Sequence, residues 1–412
     1  MKSIHYFLAA IAFVFFFGCN SDDAPQGDMA VFAVPVVKSL AEIRSEVGVT
    51  AARQTSSDGK IYVAQNYLFY IAQESGVHVY NNQNPASPSN VVFLQIPGVH
   101  DIAVKGDYLF ADNFIDLLVF DISDIQNITL VQTIENSISF SPVFPSDVEF
   151  YDPTINAGPD DLLIGYRNEN RPRPEGGDIT IFAEAMDSAL VGGVGQGGSY
   201  AKFQINGDAL YTLDNFQLNV FNISAPDATF YDKAVYMNTW FGGGVFETLF
   251  IQKEILFIGA TNGMHVVDAN DEFNPQIVGS FSHATACDPV VVEGTVAYIT
   301  VRGGSACGAI EDQVNVIDIV DIANPTLIST TLLDQPYGLG IRNDVLFVCT
   351  ANGLKIFDAS NPAGLVLQNS YTESLKDVIP LDSHLVAVGP NVIKQYAYVG
   401  DYSLQLISTV TF

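Results

Sequence analysis

The sequence predicts an all-β fold in which four-stranded antiparallel sheets repeat around a common axis. Three observations predict it: short alternating apolar runs, one strand-and-turn pattern that recurs about every 40 residues, and no long run with helical periodicity. The chain has 412 residues, of which 48% are hydrophobic and 15% are charged. We expect this balance when most strands are covered on both faces.

The recurring pattern is an apolar strand, then Asp or Asn, then a polar turn that often ends in Asn-Pro. It occurs at Val77–Asn81, Leu118–Asp121, Leu218–Asn222, Met264–Asp268, Val314–Asp318 and Leu354–Asp358. An Asp or Asn side chain in such a turn bonds the backbone two residues later, and Pro ends the strand ladder. A repeat of about 40 residues with several short strands is typical of a β-propeller blade.

Eight such units can be counted, and the third is the least regular. Their ranges are 61–96, 98–134, 146–190, 200–238, 246–281, 287–333, 337–372 and 376–412. The sequence therefore predicts eight four-stranded blades, with seven blades and an irregular insertion as the alternative. Ahead of the first unit we expect Ala30–Val37 to pair with an outer edge, and Ser39–Glu46 allows a short helix.

The segments Leu118–Ser123, Val314–Asp321 and Leu354–Ser360 resemble the LVIVD repeat. This repeat occurs in β-propeller proteins that include many bacterial surface lipoproteins. The resemblance extends over roughly residues 60–412. It implies the propeller fold and a surface location, and it brings no established reaction.

The N-terminus has the layout of an export signal. Lys2 precedes the apolar run Phe7–Phe17, which is followed by Gly18 and Cys19. This run is too short to span a membrane, and Cys19 resembles the lipidated cysteine of bacterial lipoproteins, with an ordinary secretory signal as the alternative. The predicted parts are a signal peptide (1–18), an acidic tether (19–28), an N-terminal segment that closes or covers the propeller (29–60) and one propeller domain (61–412).

The expected location of the protein and its net charge limit which partners it can bind. Asn20–Asp23 resembles the tag that sends some lipoproteins to the outer face of the outer membrane, and a solvated linker is the alternative. The formal net charge is −29, which disfavours nucleic acid as a partner. We expect the lipid to hold the chain on the membrane, with a glycan or an envelope protein as the partner.

Three cysteines remain after Cys19. An exported protein lies where disulfides persist. Cys287 and Cys307 fall on one rim of the sixth unit, so we expect a disulfide between them, with two free thiols as the alternative. Cys349 alternates with apolar residues and is expected to be buried.

Carboxylates recur where the predicted innermost strands begin. Hard cations prefer oxygen ligands, so a ring of carboxylates around the axis could hold Ca²⁺. The alternative is that each carboxylate caps nearby backbone N–H groups. The residues are Asp101, Asp147, Glu247, Asp288 and Asp377.

The same rim collects basic and aromatic residues. The segment Arg167–Gly177 is predicted to be a loop and includes Arg171 and Arg173, whose guanidinium groups suit carboxylates of a ligand. Trp240 and Phe241 stand before three glycines and suit stacking on a sugar or a protein. The alternatives are a solvated loop balanced by acids and an aromatic ring that plugs the channel.

These features predict a binding or scaffold module on the cell surface, which recognises a glycan or partner protein through one rim. The alternative function is a metal-dependent polysaccharide lyase or hydrolase that uses the axial carboxylates. No sequence motif for a nucleophile with its base is present.

Overall fold

The computed structural model describes residues 29–54, 59–73, 75–174, 196–236, 245–282, 289–302 and 311–412. In these residues the secondary structure is almost entirely β, with one α-helix and one short 3-10 helix. Neither helix in this part of the chain is long and apolar enough to cross a membrane. The all-β prediction is confirmed.

The N-terminal elements precede the propeller. They are strand β1 (Met29–Ser39), helix α1 (Leu40–Ser45) and strand β2 (Gly48–Ala51). The helix begins where the Ser39 side chain accepts a hydrogen bond from the backbone N–H of Glu42 at 3.2 Å, which is the usual N-cap arrangement. It lies inside the segment for which the sequence allows a short helix.

Seven four-stranded antiparallel blades make up the propeller in the described residues. Blade 1 is β3 (Gly59–Ala64), β4 (Tyr67–Ala72), β5 (Gly76–Asn81) and β6 (Ser89–Gln95), and blade 2 is β7 (Ile102–Lys105), β8 (Tyr108–Asn113), β9 (Asp116–Asp121) and β10 (Thr129–Ile134).

Between blades 2 and 3 lies an insertion with β11 (Phe150–Tyr151), β12 (Asp161–Pro172) and β13 (Gln196–Gly197). Blade 3 is β14 (Phe203–Asn206), β15 (Ala209–Leu213), β16 (Gln217–Asn222) and β17 (Phe230–Tyr236), with the 3-10 helix Pro226–Ala228 before β17, and blade 4 is β18 (Phe246–Gln252), β19 (Ile255–Ala260), β20 (Gly263–Asp268) and β21 (Gln276–Ser282).

The last three blades run to the C-terminus. Blade 5 is β22 (Val290–Glu293), β23 (Val296–Val301), β24 (Gln313–Asp318) and β25 (Thr326–Leu332). Blade 6 is β26 (Pro336–Arg342), β27 (Val345–Thr350), β28 (Gly353–Asp358) and β29 (Val366–Tyr371), and blade 7 is β30 (Asp377–Pro380), β31 (Leu385–Gly389), β32 (Val392–Tyr398) and β33 (Leu404–Thr411).

The first strand of each blade is the innermost, because the first strands of successive blades contact one another. The ring closes where blade 7 packs on blade 1, in an apolar cluster that includes Ile61, Tyr70 and Val386. Asn82 and Gln395 exchange two side-chain hydrogen bonds of 3.0 and 2.8 Å across this junction. The described residues thus close the ring by packing and hydrogen bonds between the two terminal blades.

The turn after the third strand of a blade has the predicted geometry. Oδ1 of Asp121 accepts the backbone N–H of Ser123 at 2.9 Å, and Oδ1 of Asp358 accepts that of Ser360 at 3.0 Å. These bonds satisfy backbone donors where the strand ladder stops. The recurring Asp or Asn is therefore a structural residue of the blade.

The third predicted unit is not a blade in its described part. Strand β12 pairs antiparallel with β1 from Ser39↔Asp161 to Met29↔Pro172, and β1 also pairs in parallel with β11. These three strands form a separate sheet, here called the insertion sheet. The seven-blade alternative is the one that the described residues match.

The N-terminal strand does not pair with an outer edge of the propeller, so that expectation for Ala30–Val37 is wrong. Its eleven residues instead match the long strand β12, which offers a longer ladder than a blade edge. The outer edge of blade 1 is covered by β2, which pairs antiparallel with β6 from Gly48↔Gln95 to Ala51↔Val92. This pairing removes one exposed sheet edge.

Candidate functional site

The insertion sheet and α1 lie on the propeller face that carries the connections between second and third strands. Arg44 of α1 makes a bidentate ion pair with Asp116, which follows the β8–β9 connection, with N–O distances of 2.7 and 3.0 Å. Asp116 is 1% exposed and also accepts the backbone N–H of Asn136 at 2.8 Å. A bidentate pair with one buried partner fixes both distance and orientation, so it fastens the N-terminal elements to blade 2.

The three arginines predicted for ligand binding lie on or just after strand β12, so the predicted loop is a strand up to Pro172. Each is paired with an acid of the insertion. Arg167 contacts Glu169, Arg171 contacts Asp152 and Glu169, and Arg173 contacts Glu149. Hydrogen bonds from Thr154 and from Arg171 lower the pKa of Asp152 to about 2. These guanidinium groups are committed to holding the insertion together.

A cavity of about 350 Å³ lies between the insertion sheet and the axial end of blades 1 to 4. Its walls include Lys60, Asp101 and Glu247 from the propeller and Tyr166 from β12. Phe140, in the chain that leads into the insertion, packs edge-on against Phe114 with 4.9 Å between ring centroids. We call this space the axial cavity, and it combines aromatic rings with charged groups.

Residues 196–202, here called the axial segment, occupy the middle of the ring. The backbone of Gln196 and Gly197 pairs with β3 of blade 1. Ser199 contacts blades 6 and 7, the carbonyl of Ala201 accepts the N–H of Leu249 in blade 4, and the N–H of Lys202 bonds Asp101 in blade 2. The segment touches five blades, and Tyr200 within it is buried.

Two of the predicted axial carboxylates hold the axial segment. Asp377 accepts the N–H and the Oγ–H of Ser199 at 3.2 and 3.0 Å, and the N–H of Val378 at 3.0 Å. A Cβ atom on Gly198 would lie 1.5 Å from its Oδ2, so only glycine permits this approach. Burial raises the pKa of Asp377 to about 7.

Asp101 plays the matching part at blade 2. Its Oδ1 accepts the N–H of Ile102 at 2.7 Å, and its Oδ2 accepts the N–H of Lys202 at 2.8 Å. The ammonium of Lys60 lies 3.7 Å away. Both side chains are buried, and burial lowers the pKa of Lys60 to about 8 and raises that of Asp101 well above its usual range.

The other predicted metal ligands are not grouped with this pair. Asp147 lies in the insertion, exposed, where both its oxygens accept from the Asn168 amide at 3.0 and 2.9 Å. It does not begin an innermost strand, because its unit is not a blade. Glu247 lines the axial cavity. Among the described residues, no three His, Cys, Asp or Glu side chains are close enough to hold a metal ion.

Several predicted residues lie outside the described residues, and they remain predictions. They are Cys19, Trp240, Phe241, Cys287, Asp288 and Cys307. Cys349 is a free thiol and is fully buried, in agreement with its predicted packing role.

A second pair at the cavity was not predicted. His100 Nδ1 lies 3.0 Å from Asp112 Oδ2, and Asp112 Oδ1 accepts the backbone N–H groups of His100 and Asp101 at 2.8 and 2.7 Å. Sequence reasoning missed it because it compared only the starts of innermost strands. The signal was available in the sequences of the second strands, because at the position of Asp112 only blade 2 carries an acid.

The recurring blade pattern matches a known sequence repeat. The LVIVD repeat matches residues 98–135, 288–331 and 341–373, which correspond to blades 2, 5 and 6. The chain carries LVIVD repeats. The LVIVD resemblance drawn from the sequence is confirmed. No curated protein matches the chain significantly.

Solved structures share the propeller fold of this LVIVD-repeat chain. A protein from Lactobacillus plantarum is 11% identical with a TM-score of 0.54, over 88% of this chain and 95% of its own. The periplasmic gluconolactonase PpgL of Pseudomonas aeruginosa is 10% identical with a TM-score of 0.52, over 89% and 96%. The computationally designed Ika8 protein is 9% identical with a TM-score of 0.51, over 87% and 89%. At such identities the likeness shows the fold alone.

Proposed function

We propose that this chain is a lipid-anchored protein of the outer membrane that binds a saccharide unit of a glycan in the axial cavity. The observation that carries the proposal is the cavity itself. Its volume of about 350 Å³ falls at the lower end of the range of about 300–1,000 Å³ that is typical of small-ligand sites. A concave site of this size suits one sugar unit better than the flat surface of a partner protein.

The lining of the cavity supports a saccharide. Aromatic rings offer apolar faces to the C–H side of a sugar ring, and here Phe140, Tyr166 and Phe216 are available. Polar groups that can orient hydroxyls line the same space, among them Ser141 and Asn215. Phe216 is 39% exposed and lies outside the apolar core, which leaves its ring free to stack on a ligand.

A matched pair of substitutions tests the site. Phe216→Ala removes an exposed ring at the cavity, whereas Phe230→Ala removes a ring that is 51% exposed on the outer strand of the same blade. We expect wild type and Phe230→Ala to bind the same oligosaccharides on a glycan array, with calorimetry giving equal affinities. Phe216→Ala should bind at least about fivefold more weakly, because one stacking contact contributes about 1 kcal/mol or more.

Equal binding by both variants would refute the cavity as the site. Loss of binding in Phe230→Ala alone would move the site to the blade edge. Thermal melting of both variants checks that neither substitution acts through unfolding.

The membrane anchor is a separate part of the proposal and has its own test. Gly18-Cys19 after the apolar run supports lipidation of Cys19. We expect radiolabelled fatty acid to enter wild type and not Cys19→Ala, and we expect protease added to whole cells to digest the wild-type protein. Thiol alkylation before and after reduction tests the predicted disulfide between Cys287 and Cys307, since a bond protects both thiols until reductant is added.

A further inference from the structure

His100 and Asp112 have the arrangement of a general base and its orienting carboxylate. Asp112 accepts three N–H groups, two of them from the backbone, so its position is fixed. Since a carboxylate at 3.0 Å from Nδ1 requires a hydrogen on that nitrogen, Nε2 carries the free lone pair of the neutral ring. The Asp112 side chain is 7% exposed and that of His100 is 21% exposed, so the histidine is the member that a ligand can reach.

This pair breaks the repeat. Strand register places Ile71, Leu213, Gly259 and Cys349 of blades 1, 3, 4 and 6 at the position of Asp112. The turn aspartates, by contrast, recur from blade to blade because every blade needs that turn. A residue that one blade alone carries, at the axis and beside a cavity, is not explained by the needs of the blade.

The pair opens into the axial cavity, which both residues line together with Lys202. In the described part of the chain, no carboxylate oxygen lies within 4.0 Å of the Lys202 ammonium, although the protein is strongly acidic. The other charged groups that line this space are Lys60, Asp101, Asp214 and Glu247. A base and an uncommitted cation therefore share one cavity.

We propose that His100 is a catalytic general base for hydrolysis of carboxylic esters carried by the bound saccharide, and this proposal rests on the proposed ligand site. Nε2 takes a proton from a water molecule while the water oxygen forms a bond to the ester carbonyl carbon. The carbonyl electron pair moves to oxygen, where the Lys202 ammonium stabilises the negative charge. The electron pair on that oxygen then re-forms the C=O bond, the bond between the carbonyl carbon and the sugar oxygen breaks, and the proton on Nε2 goes to the sugar oxygen.

The net reaction consumes one water and releases a carboxylic acid and a sugar hydroxyl. Asp112 is a positioning residue in this scheme. It holds the imidazole in the tautomer that leaves Nε2 free, and it stabilises the imidazolium that forms.

The test uses p-nitrophenyl acetate and penta-O-acetylglucose as probes, with the wild type and four variants. We expect the wild type to hydrolyse both probes above the buffer rate. His100→Gln and Asp112→Asn should each lose about 100-fold or more in kcat/KM, and His100→Asn checks the first result. Lys376→Gln is the matched control, because Lys376 stacks on Tyr337 and does not line the cavity, and it should keep the wild-type rate.

A pH profile separates catalysis from a structural role. The wild-type rate should fall on the acid side, because a protonated imidazole accepts no proton, and this acid limb should be absent from the residual rate of His100→Gln. Wild-type rates in both His100 variants, or no hydrolysis of either probe by wild type, would overturn the proposal.

Saccharide binding is measured on the same samples. Binding retained by His100→Gln without hydrolysis supports both proposals. Binding by a wild type that hydrolyses neither probe supports the saccharide site and overturns the catalytic role of His100. Hydrolysis without saccharide binding removes the proposed function and, with it, the saccharide ester as the substrate, which overturns the inference as stated.

Discussion

Blades 2 and 6 share one architecture and differ at the axis. Both match the LVIVD repeat, both are four-stranded meanders, and both end their third strand in the same Asp turn. Blade 2 has Asp101 at the start of its innermost strand and Asp112 on its second strand, whereas blade 6 has Gly338 and Cys349 at the corresponding places. The repeat thus builds the scaffold, and the departures from it at two register positions create the charged wall of the cavity.

The largest expected effect is a loss of stability that should be equal in blades 2 and 6. Phe110 and Phe347 occupy matching positions on the second strands and are both buried. We expect Phe110→Ala and Phe347→Ala to cost about 3–5 kcal/mol each, as measured by chemical denaturation. A cost in one blade that is much larger than in the other would show that the two blades do not contribute equally to stability.

The next largest effect is a pH dependence of stability caused by Asp377, which holds the axial segment. An unfolded aspartate ionises near its ordinary pKa of about 3.9, whereas burial raises the pKa of Asp377 to about 7. Between about pH 4 and pH 7 the folded state keeps a proton that the unfolded chain releases, so the unfolding free energy falls as pH rises through this window. Asp377→Asn should remove this contribution, which amounts to a few kcal/mol, and should stabilise the protein above pH 7.

Denaturation curves from pH 4 to pH 8 check this prediction. Asn keeps an oxygen that can accept from Ser199 and Val378, so the variant is not expected to open the ring. The same pH dependence in wild type and variant would contradict the assigned role of Asp377.

A smaller effect should separate the insertion sheet from the blades. Asp116→Ala leaves Arg44 without its buried partner, and we expect a loss of about 2–3 kcal/mol, below the full value for a buried pair because Arg44 is partly exposed. Hydrogen exchange should accelerate in β1 and β12 while the blades stay protected. The control Glu42→Ala, at an exposed position of α1, should leave exchange unchanged, and equal acceleration in every blade would refute the fastening role.

The smallest expected effect is a loss of stability from the Asp turns, and it should again be equal in blades 2 and 6. Asp121→Ala and Asp358→Ala each remove the side chain that satisfies a backbone N–H in the turn. We expect each to cost about 1 kcal/mol, seen as a small drop in melting temperature. A neutral result in either blade would show that its turn holds without this bond.

These contrasts explain which parts could be predicted from the sequence. The blades could be predicted, because alternation and the Asp or Asn turn are local signals, and the turn recurs in six of the predicted units. The axial segment could not, because Ser199 meets Asp377 from 178 residues away and no local pattern encodes that contact. The pairing of β1 with β12 also joins residues that are far apart in the chain. For this reason β1 was assigned the wrong partner, and the end of β12 from Arg167 was predicted to be a loop.

Candidate site residues divide in the same way. Asp101 and Asp377 could be found as acids at the start of innermost strands, but that pattern alone left open whether they bind a metal or backbone groups. The structure gives each of them backbone N–H donors from its own strand and from the axial segment. Lys60 became recognisable only once strand register placed it at the position of Asp101 in blade 1.

Hydrogen exchange with and without an oligosaccharide selected on the glycan array tests the claim that the axial cavity, and not the regular repeat surface, is the ligand site. We expect ligand-dependent protection in residues 138–143 and 213–216, which line the cavity, and none in the outer strands of blades 5 and 6. Protection confined to those outer strands, with the cavity peptides unchanged, would contradict the claim.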